Sequence, residues 1–250
     1  MKRKIKDSEL PKAFDKLSSL YQKIPDTKGC VENINECRSW CCQCQNPNLV
    51  YCEFLRTWNH ILKTWDGEQI IGLIKKALHN YLSDLPIKGC IFRNKETYLC
   101  DIHKYRPLNC FLYGITPKEE FDERLEKIKE IYKGQIGAFF REQCTLVETV
   151  NGKKVTRQDT DRWWKELKEI ETSIGIDKKH IVDQFGGTYL TFHDHLLIYL
   201  LPEYLFNNLV SVRQYGNVAE KHKVIETFIR VLSPAFEGSK NGGKEKDTNS

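Results

Sequence analysis

The sequence predicts a mostly α protein in which cysteine-rich metal-binding loops are joined by a helical hairpin, followed by one small β-hairpin and a C-terminal helical bundle. Three observations predict it. Five of the fifteen residues from Cys30 to Cys44 are cysteines, and three more, Cys90, Cys100 and Cys110, follow with nine residues between neighbours. Between the two groups, apolar residues recur at three- and four-residue spacing over 51–65 and again over 68–85, the period of two amphipathic helices. Beyond residue 116 helix starts recur, and the Asn-Gly pair at 151–152 gives the one hairpin signal between apolar segments.

In chain order, Leu10, Phe14, Leu17, Leu20 and Tyr21 predict a helix over 8–23, with Asp7 or Ser8 to cap it. The segment 30–44 has no clean periodicity and reads as a loop, the setting in which several ligands can converge on one point. The hairpin 51–65 and 68–85, punctuated by Asp66-Gly67, is expected to fold the second cysteine group back onto the first. Pro86 and Gly89 end it. Thr116-Pro117-Lys118-Glu119 reads as a capping box with Pro at the first helical position, starting a helix to about residue 132. Residues 145–150 and 153–156 flank Asn151-Gly152 as a β-hairpin. Further helices are expected over 161–174, 177–185, 193–215 with a break at Pro202, and 217–232. The organisation expected is an N-terminal helix (1–29), a cysteine-cluster metal-binding domain (30–115), a helical region (116–236) and a disordered tail (237–250), whose stretch EGSKNGGKEKDTNS carries no large apolar residue.

The hydrophobic fraction of 40% and charged fraction of 29% fit an ordinary globular chain. A net charge of +5 spread over Lys- and Glu-rich helices gives little reason to expect nucleic acid as a partner. The most apolar stretch, 189–210, is interrupted by His193, Asp194, His195, Pro202 and Glu203, so no membrane span is expected where about 20 nearly uninterrupted apolar residues are needed. MKRKIKDSELPKAF has no apolar core of a secretory signal, which points to the cytoplasm. There thiols stay reduced, and clustered ones serve as metal ligands or catalytic groups more often than as disulfides.

The candidate metal ligands are Cys37, Cys41, Cys42, Cys90, Cys100 and Cys110, with Cys30 and Cys44 as second choices. Short loops with two to four residues between thiols supply the geometry that zinc or an iron–sulfur cluster needs. Cys37-x3-Cys41-x2-Cys44 also fits the spacing of radical S-adenosylmethionine enzymes, but helices rather than alternating strands follow it. Pro107 stiffens the approach to Cys110 and holds Arg106 extended, and Arg106 brings a permanent cation near the thiols. Tyr105, Arg106 and Pro107 are therefore expected to support the ligands.

A cysteine-rich loop with a Cys41-Cys42 pair, a helical spacer, Cys90, Cys100 and then Tyr105-Arg106-Pro107-Leu108-Asn109-Cys110 resembles the cysteine-cluster family of zinc- or iron-chelating, iron–sulfur-cluster-containing domain proteins, to which flagellin lysine N-methylases are similar. The resemblance covers about residues 30–115, with departures: six residues lie between Cys30 and Cys37, and Phe111 stands where an Arg often follows the last cysteine. It implies a bound iron–sulfur cluster, 4Fe–4S in type, or alternatively zinc, in a structural or redox role. Its link to the methylases implies a second possibility, methyl transfer from S-adenosylmethionine to a lysine of a protein substrate. The protein partner or substrate is unknown in either case, and no catalytic residue is assigned.

Of the other candidates, Cys52 lies on an apolar helical face and is expected in the core, and so is Cys144, which follows Phe139-Phe140, with a late metal ligand as its alternative role. His193-Asp194-His195 reads as a helix start with satisfied polar groups, Gly186-Gly187 as a turn, and Trp163, Trp164, Tyr199 and Tyr204 as core.

Overall fold

Helix α1 (Leu10–Gln22) follows a single 3-10 turn at Asp7–Glu9 and buries Ala13, Leu17 and Leu20, the inward face expected from the spacing. The computed structural model describes residues 6–44, 46–85, 88–131, 133, 143–176 and 190–237. The helix expected over 177–185, the Gly186-Gly187 turn and the tail from 238 lie outside the described residues.

The segment 30–44 is not plain loop. It folds into two short helices, α2 (Ile34–Cys37) and α3 (Trp40–Cys44), separated by Arg38 and Ser39 with φ of 47° and 49°. Left-handed residues end a helix without a glycine only at a cost of about 1–2 kcal/mol each, so the sequence offered no simple stop signal there.

The expected helical hairpin is present as α4 (Tyr51–Thr64) and α5 (Gly67–Leu82). Asp66 caps α5, accepting from Gln69 N at 2.8 Å while Gln69 Oε1 accepts from Asp66 N at 3.0 Å. Phe54, Ile61, Ile70, Ile74 and Leu78 are fully buried along the two helices. After the short α6 (Leu108–Leu112), helix α7 (Lys118–Ile131) begins one position later than expected. Pro117 therefore precedes the helix, and the Thr116 hydroxyl turns back to Leu112 O at 2.8 Å.

The β-hairpin expected around 145–156 does not form. Strand β2 (Glu148–Thr149) pairs antiparallel with β1 (Thr27–Lys28), in register Thr27 to Thr149 and Lys28 to Glu148. The turn after β2 exists: Gly152 N donates to Thr149 O at 3.1 Å. However, positive φ falls on Gly152 (66°) and not on Asn151. A type I′ hairpin turn needs positive φ at both central residues, and this turn has Gly after its centre instead.

Thr156 caps α8 (Arg157–Ser173) through Asp159, starting that helix four residues before the expected position. The C-terminal helices are α9 (Phe192–Leu200), α10 (Glu203–Tyr215) and α11 (Val218–Leu232). Helices α9 and α11 pack on α5, and α1 packs on α8. Trp163 is buried and Trp164 packs against the core, but Tyr199 and Tyr204 are 42% and 72% exposed, because they occupy the outward faces of α9 and α10. Among the described residues no helix is long and apolar enough to cross a membrane.

Two buried carboxylates lock this arrangement. Glu53 accepts from the Tyr21 hydroxyl (2.6 Å), Leu108 N (2.7 Å) and Val50 N (3.0 Å), tying α1, α4 and α6 at one point. Glu171 of α8 accepts from Tyr51 N and Cys52 N, both at 2.8 Å, and so satisfies buried first-turn amides of α4 that have no partner within the helix.

Candidate metal centre

The helical hairpin returns the second cysteine group onto the first. Cys90 N donates to Cys42 O at 2.7 Å, and Asn80 Nδ2, on the last turns of α5, holds Gly89 O at 2.8 Å. A Cβ on Gly89 would sit 3.3 Å from both the Cys42 and Gln43 carbonyl oxygens, so glycine suits this close approach.

Cys90 and Cys100 are joined by a hairpin-like loop that the sequence reading missed. Arg93 pairs with Cys100, Asn94 N donates to Leu99 O at 2.9 Å and Asp101 N to Phe92 O at 2.9 Å. Asn94 Oδ1 accepts from Glu96 N and Thr97 N, closing the loop as an Asx turn. The chain then makes one turn at His103–Tyr105 and extends through Arg106 (φ −60°, ψ 148°), as expected before Pro107. Cys110 follows in α6, its amide on Pro107 O at 2.8 Å.

Arg93 clasps the two groups from outside. Its Nε donates to Ser39 Oγ at 2.7 Å and its Nη2 to Arg38 O at 3.1 Å, while its guanidinium lies 5.1 Å from the Tyr98 ring centre. Among the described residues the non-glycine positions with positive φ are Arg38, Ser39 and Tyr98, and all three meet at this clasp. Backbone strain of this kind persists only where surrounding bonds impose it, and here they impose it beside Cys37, Cys41 and Cys100.

The thiols lie in one another's field. Cys41 and Cys42 Sγ are 4.0 Å apart. That contact, then burial, then Cys90 and Cys110 raise the Cys42 thiol far above the ordinary range. Burial pushes Cys90 up to about 11, with Cys41 adding to it. Burial and then Cys90 push Cys100 up to about 12. Cys110 is raised by burial, Cys90 and Cys100, and Arg106 opposes this. Four thiols from both groups are thus neutral at pH 7, the reverse of the depressed pKa that a nucleophilic cysteine needs.

Arg106 stands among them. Its Nη1 contacts His103 Nε2 at 2.7 Å, burial and then Arg106 lower the His103 pKa, and the guanidinium lies 4.4 Å from the Phe111 ring centre. Its buried Nε has no hydrogen-bond partner. The side chain as a whole is half-buried, and its charge acts on the Cys30, Cys100 and Cys110 thiols; thiolates on a metal there would give it a counter-charge. The all-sulfur donor set and this cation together fit a thiophilic metal group. As they stand, no three His, Cys, Asp or Glu side chains among the described residues are closed into a coordination shell.

Of the expected site residues, Cys37 ends α2, Cys41 and Cys42 lie in α3, and Cys90, Cys100 and Cys110 gather against them. Cys30 is half-buried near Cys41. The backbone of Cys44 belongs to α3, but its side chain lies outside the described residues. The Tyr105 ring is stacked on His60, 3.7 Å between centres, under the Arg56 guanidinium. Cys52 is core, as expected. Cys144 is not: it is half-buried and shares the field of Cys30. The His193 segment is the expected helix start, with Thr191 capping through Asp194 (2.7 Å) and His193 Nδ1 against Asn46 Nδ2 (2.7 Å). Comparison of the chain with protein-family models, with curated proteins and with solved structures finds no match.

Proposed function

We propose that the protein binds a metal group through cysteine thiolates drawn from both cysteine-rich segments, and that this group is an iron–sulfur cluster, with zinc as the alternative. The observation that carries this reading is the half-buried Arg106, whose buried Nε has no hydrogen-bond partner and whose charge acts on the Cys30, Cys100 and Cys110 thiols. The resemblance to the zinc- or iron-chelating cysteine-cluster family points the same way. Cys42, Cys90, Cys100 and Cys110 are the ligands best supported by proximity, with Cys41 beside them. Tetrahedral zinc at about 2.3 Å from each sulfur needs sulfurs about 3.8 Å apart, whereas a cluster spreads its thiolates over several irons. The family resemblance and the excess of cysteines over the four that one zinc needs favour the cluster.

A bound cluster would supply one-electron chemistry, and zinc would supply cross-linking alone. The chain's own residues do the rest. Arg106 offsets the charge of the thiolates, Arg93 holds the two loops together, and the hydrogen-bonded backbone around Cys90 fixes their approach. The reading places the protein in the reducing cytoplasm, where free thiols remain available to the metal. Metal analysis of two variants tests it: Cys100→Ser lowers the metal content, and Cys52→Ser leaves it unchanged. Full metal content in Cys100→Ser overturns the ligand assignment.

A further inference from the structure

The clasp beside the metal centre carries more charge than it needs to hold the two loops together. Arg93 and Arg38 both lie over the Tyr98 ring, their guanidiniums 5.1 Å and 5.9 Å from its centre. Arg93 uses two donors on Ser39 Oγ and Arg38 O. The Arg38 side chain is exposed, and among the described residues neither guanidinium is paired with a carboxylate. Glu36 and Glu96, the nearest acids along the chain, are exposed and pair with neither.

The clasp does not account for the Arg38 side chain. It uses only the Arg38 carbonyl, and at φ 47° a glycine or asparagine would supply that carbonyl with less strain. Tyr98 is also left-handed, at φ 61°, and its ring meets both cations. Backbone strain held by surrounding bonds gathers at ligand clamps. Trp40 follows Ser39 and Leu99 follows Tyr98, and both are exposed, by 40% and 38%, so apolar side chains flank the two cations.

We infer that Arg38, Arg93 and Tyr98 form a recognition site for an acidic segment of a protein partner, with Trp40 and Leu99 as its apolar contacts. A guanidinium matches a carboxylate with two parallel hydrogen bonds. Acidic side chains at alternate positions of one extended segment stand about 7 Å apart on one face, a spacing that two cations around a single ring can meet. The cations occupy the ring on which a nucleobase would stack, which favours carboxylates over nucleic acid. Arg38, Trp40 and Leu99 adjoin Cys37, Cys41 and Cys100 in the chain, so the partner docks at the rim of the metal centre. Protein contacts build this site, and it goes beyond the metal reading without depending on which metal is bound.

Fluorescence anisotropy on the full chain, purified anaerobically, tests this with a short labelled peptide rich in Glu and Leu. The matched peptide with Gln for Glu and a single-stranded oligothymidine serve as the other probes. The acidic peptide is expected to bind, more weakly as salt rises. Arg38→Gln should weaken it by about ten-fold or more, the loss of one charge-assisted pair. Arg230→Gln, which removes the same charge from α11, should leave it unchanged, and circular dichroism checks the fold of both variants. Equal binding of the Gln peptide, equal losses in the two variants, or no binding of the acidic peptide overturns the site. Tighter binding of the oligothymidine than of the acidic peptide also overturns it, in favour of nucleic acid. A chain without metal that still binds the acidic peptide through Arg38 supports this site while the metal reading fails.

Discussion

Arg93 Nε donates to Ser39 Oγ at 2.7 Å, although 54 positions separate the two residues. This bond, with the second one to Arg38 O, crosses from the loop between Cys90 and Cys100 to the turn between Cys37 and Cys41. The two cysteine-rich segments are therefore fastened by protein contacts before any metal is considered.

Arg93→Ala is expected to lower stability by about 1–3 kcal/mol, since Ser39 Oγ loses the charged donor that reaches it and the Arg38 carbonyl loses one of three donors, keeping Ser39 Oγ and Gln43 Nε2. It should also speed metal loss to a chelator. Arg93→Lys should not restore the slow rate, because one ammonium does not reproduce the two-point grip of a planar guanidinium. Chelator-competition kinetics on the three proteins check this, and equal rates would contradict the clasp.

Glu53 satisfies three donors, and Glu53→Ala leaves the Tyr21 hydroxyl, Leu108 N and Val50 N without it. At about 1–3 kcal/mol for each buried unsatisfied group, a loss of more than about 3 kcal/mol is expected in denaturant unfolding. Burial raises the Glu53 pKa above its unfolded value. The folded state then binds the Glu53 proton more tightly, so the stability linked to that proton is fully present below about pH 4.3 and is lost as pH rises through the raised pKa, while the three hydrogen bonds to Glu53 remain. Comparing the pH dependence of unfolding in wild type and Glu53→Ala should reveal that difference.

Arg106 opposes the rise of the Cys100 and Cys110 thiols. Removing it in Arg106→Leu should make deprotonation harder and move the pH midpoint of metal uptake upward, while Arg106→Lys should shift it less. A midpoint unchanged in Arg106→Leu would remove Arg106 from the site.

Gly29→Ala places a side chain at φ 95° against the Leu146 carbonyl. A loss of at least about 2 kcal/mol is expected, from the left-handed conformation and the collision together. Thermal unfolding measures it, and wild-type stability would mean that the β1–β2 approach contributes nothing.

The helices with strong period, α1, α4, α5 and α11, were legible because each buries a stripe that the spacing of Leu, Ile, Phe and Trp displays. So was the return of Cys90 to Cys42, since a short-linked helical pair has to double back. The β1–β2 pairing was not legible: Thr27–Lys28 is two residues long and carries no alternating pattern, and its partner lies about 120 positions away. Asn151-Gly152 marked a turn correctly but could not say which strand β2 would meet. Glu53 and Glu171 were hidden because a carboxylate on a helix is solvated by default, and only tertiary packing brings donors to it. Arg93 looked like any charged loop residue. The one available hint was Asn94, two and three residues before Glu96 and Thr97, a spacing that closes an Asx turn. Cys144 was misread because the aromatic pair before it suggested core.

The most direct measurement of the central claim is metal and sulfide analysis, with an absorption spectrum, on the chain purified without oxygen. Iron and sulfide in comparable amounts, with a broad visible charge-transfer band, are expected, and stoichiometric zinc without visible absorption would replace the cluster by the alternative. A folded chain that carries neither metal, and takes up neither when supplied with iron and sulfide or with zinc, would contradict the proposal that these thiols are metal ligands.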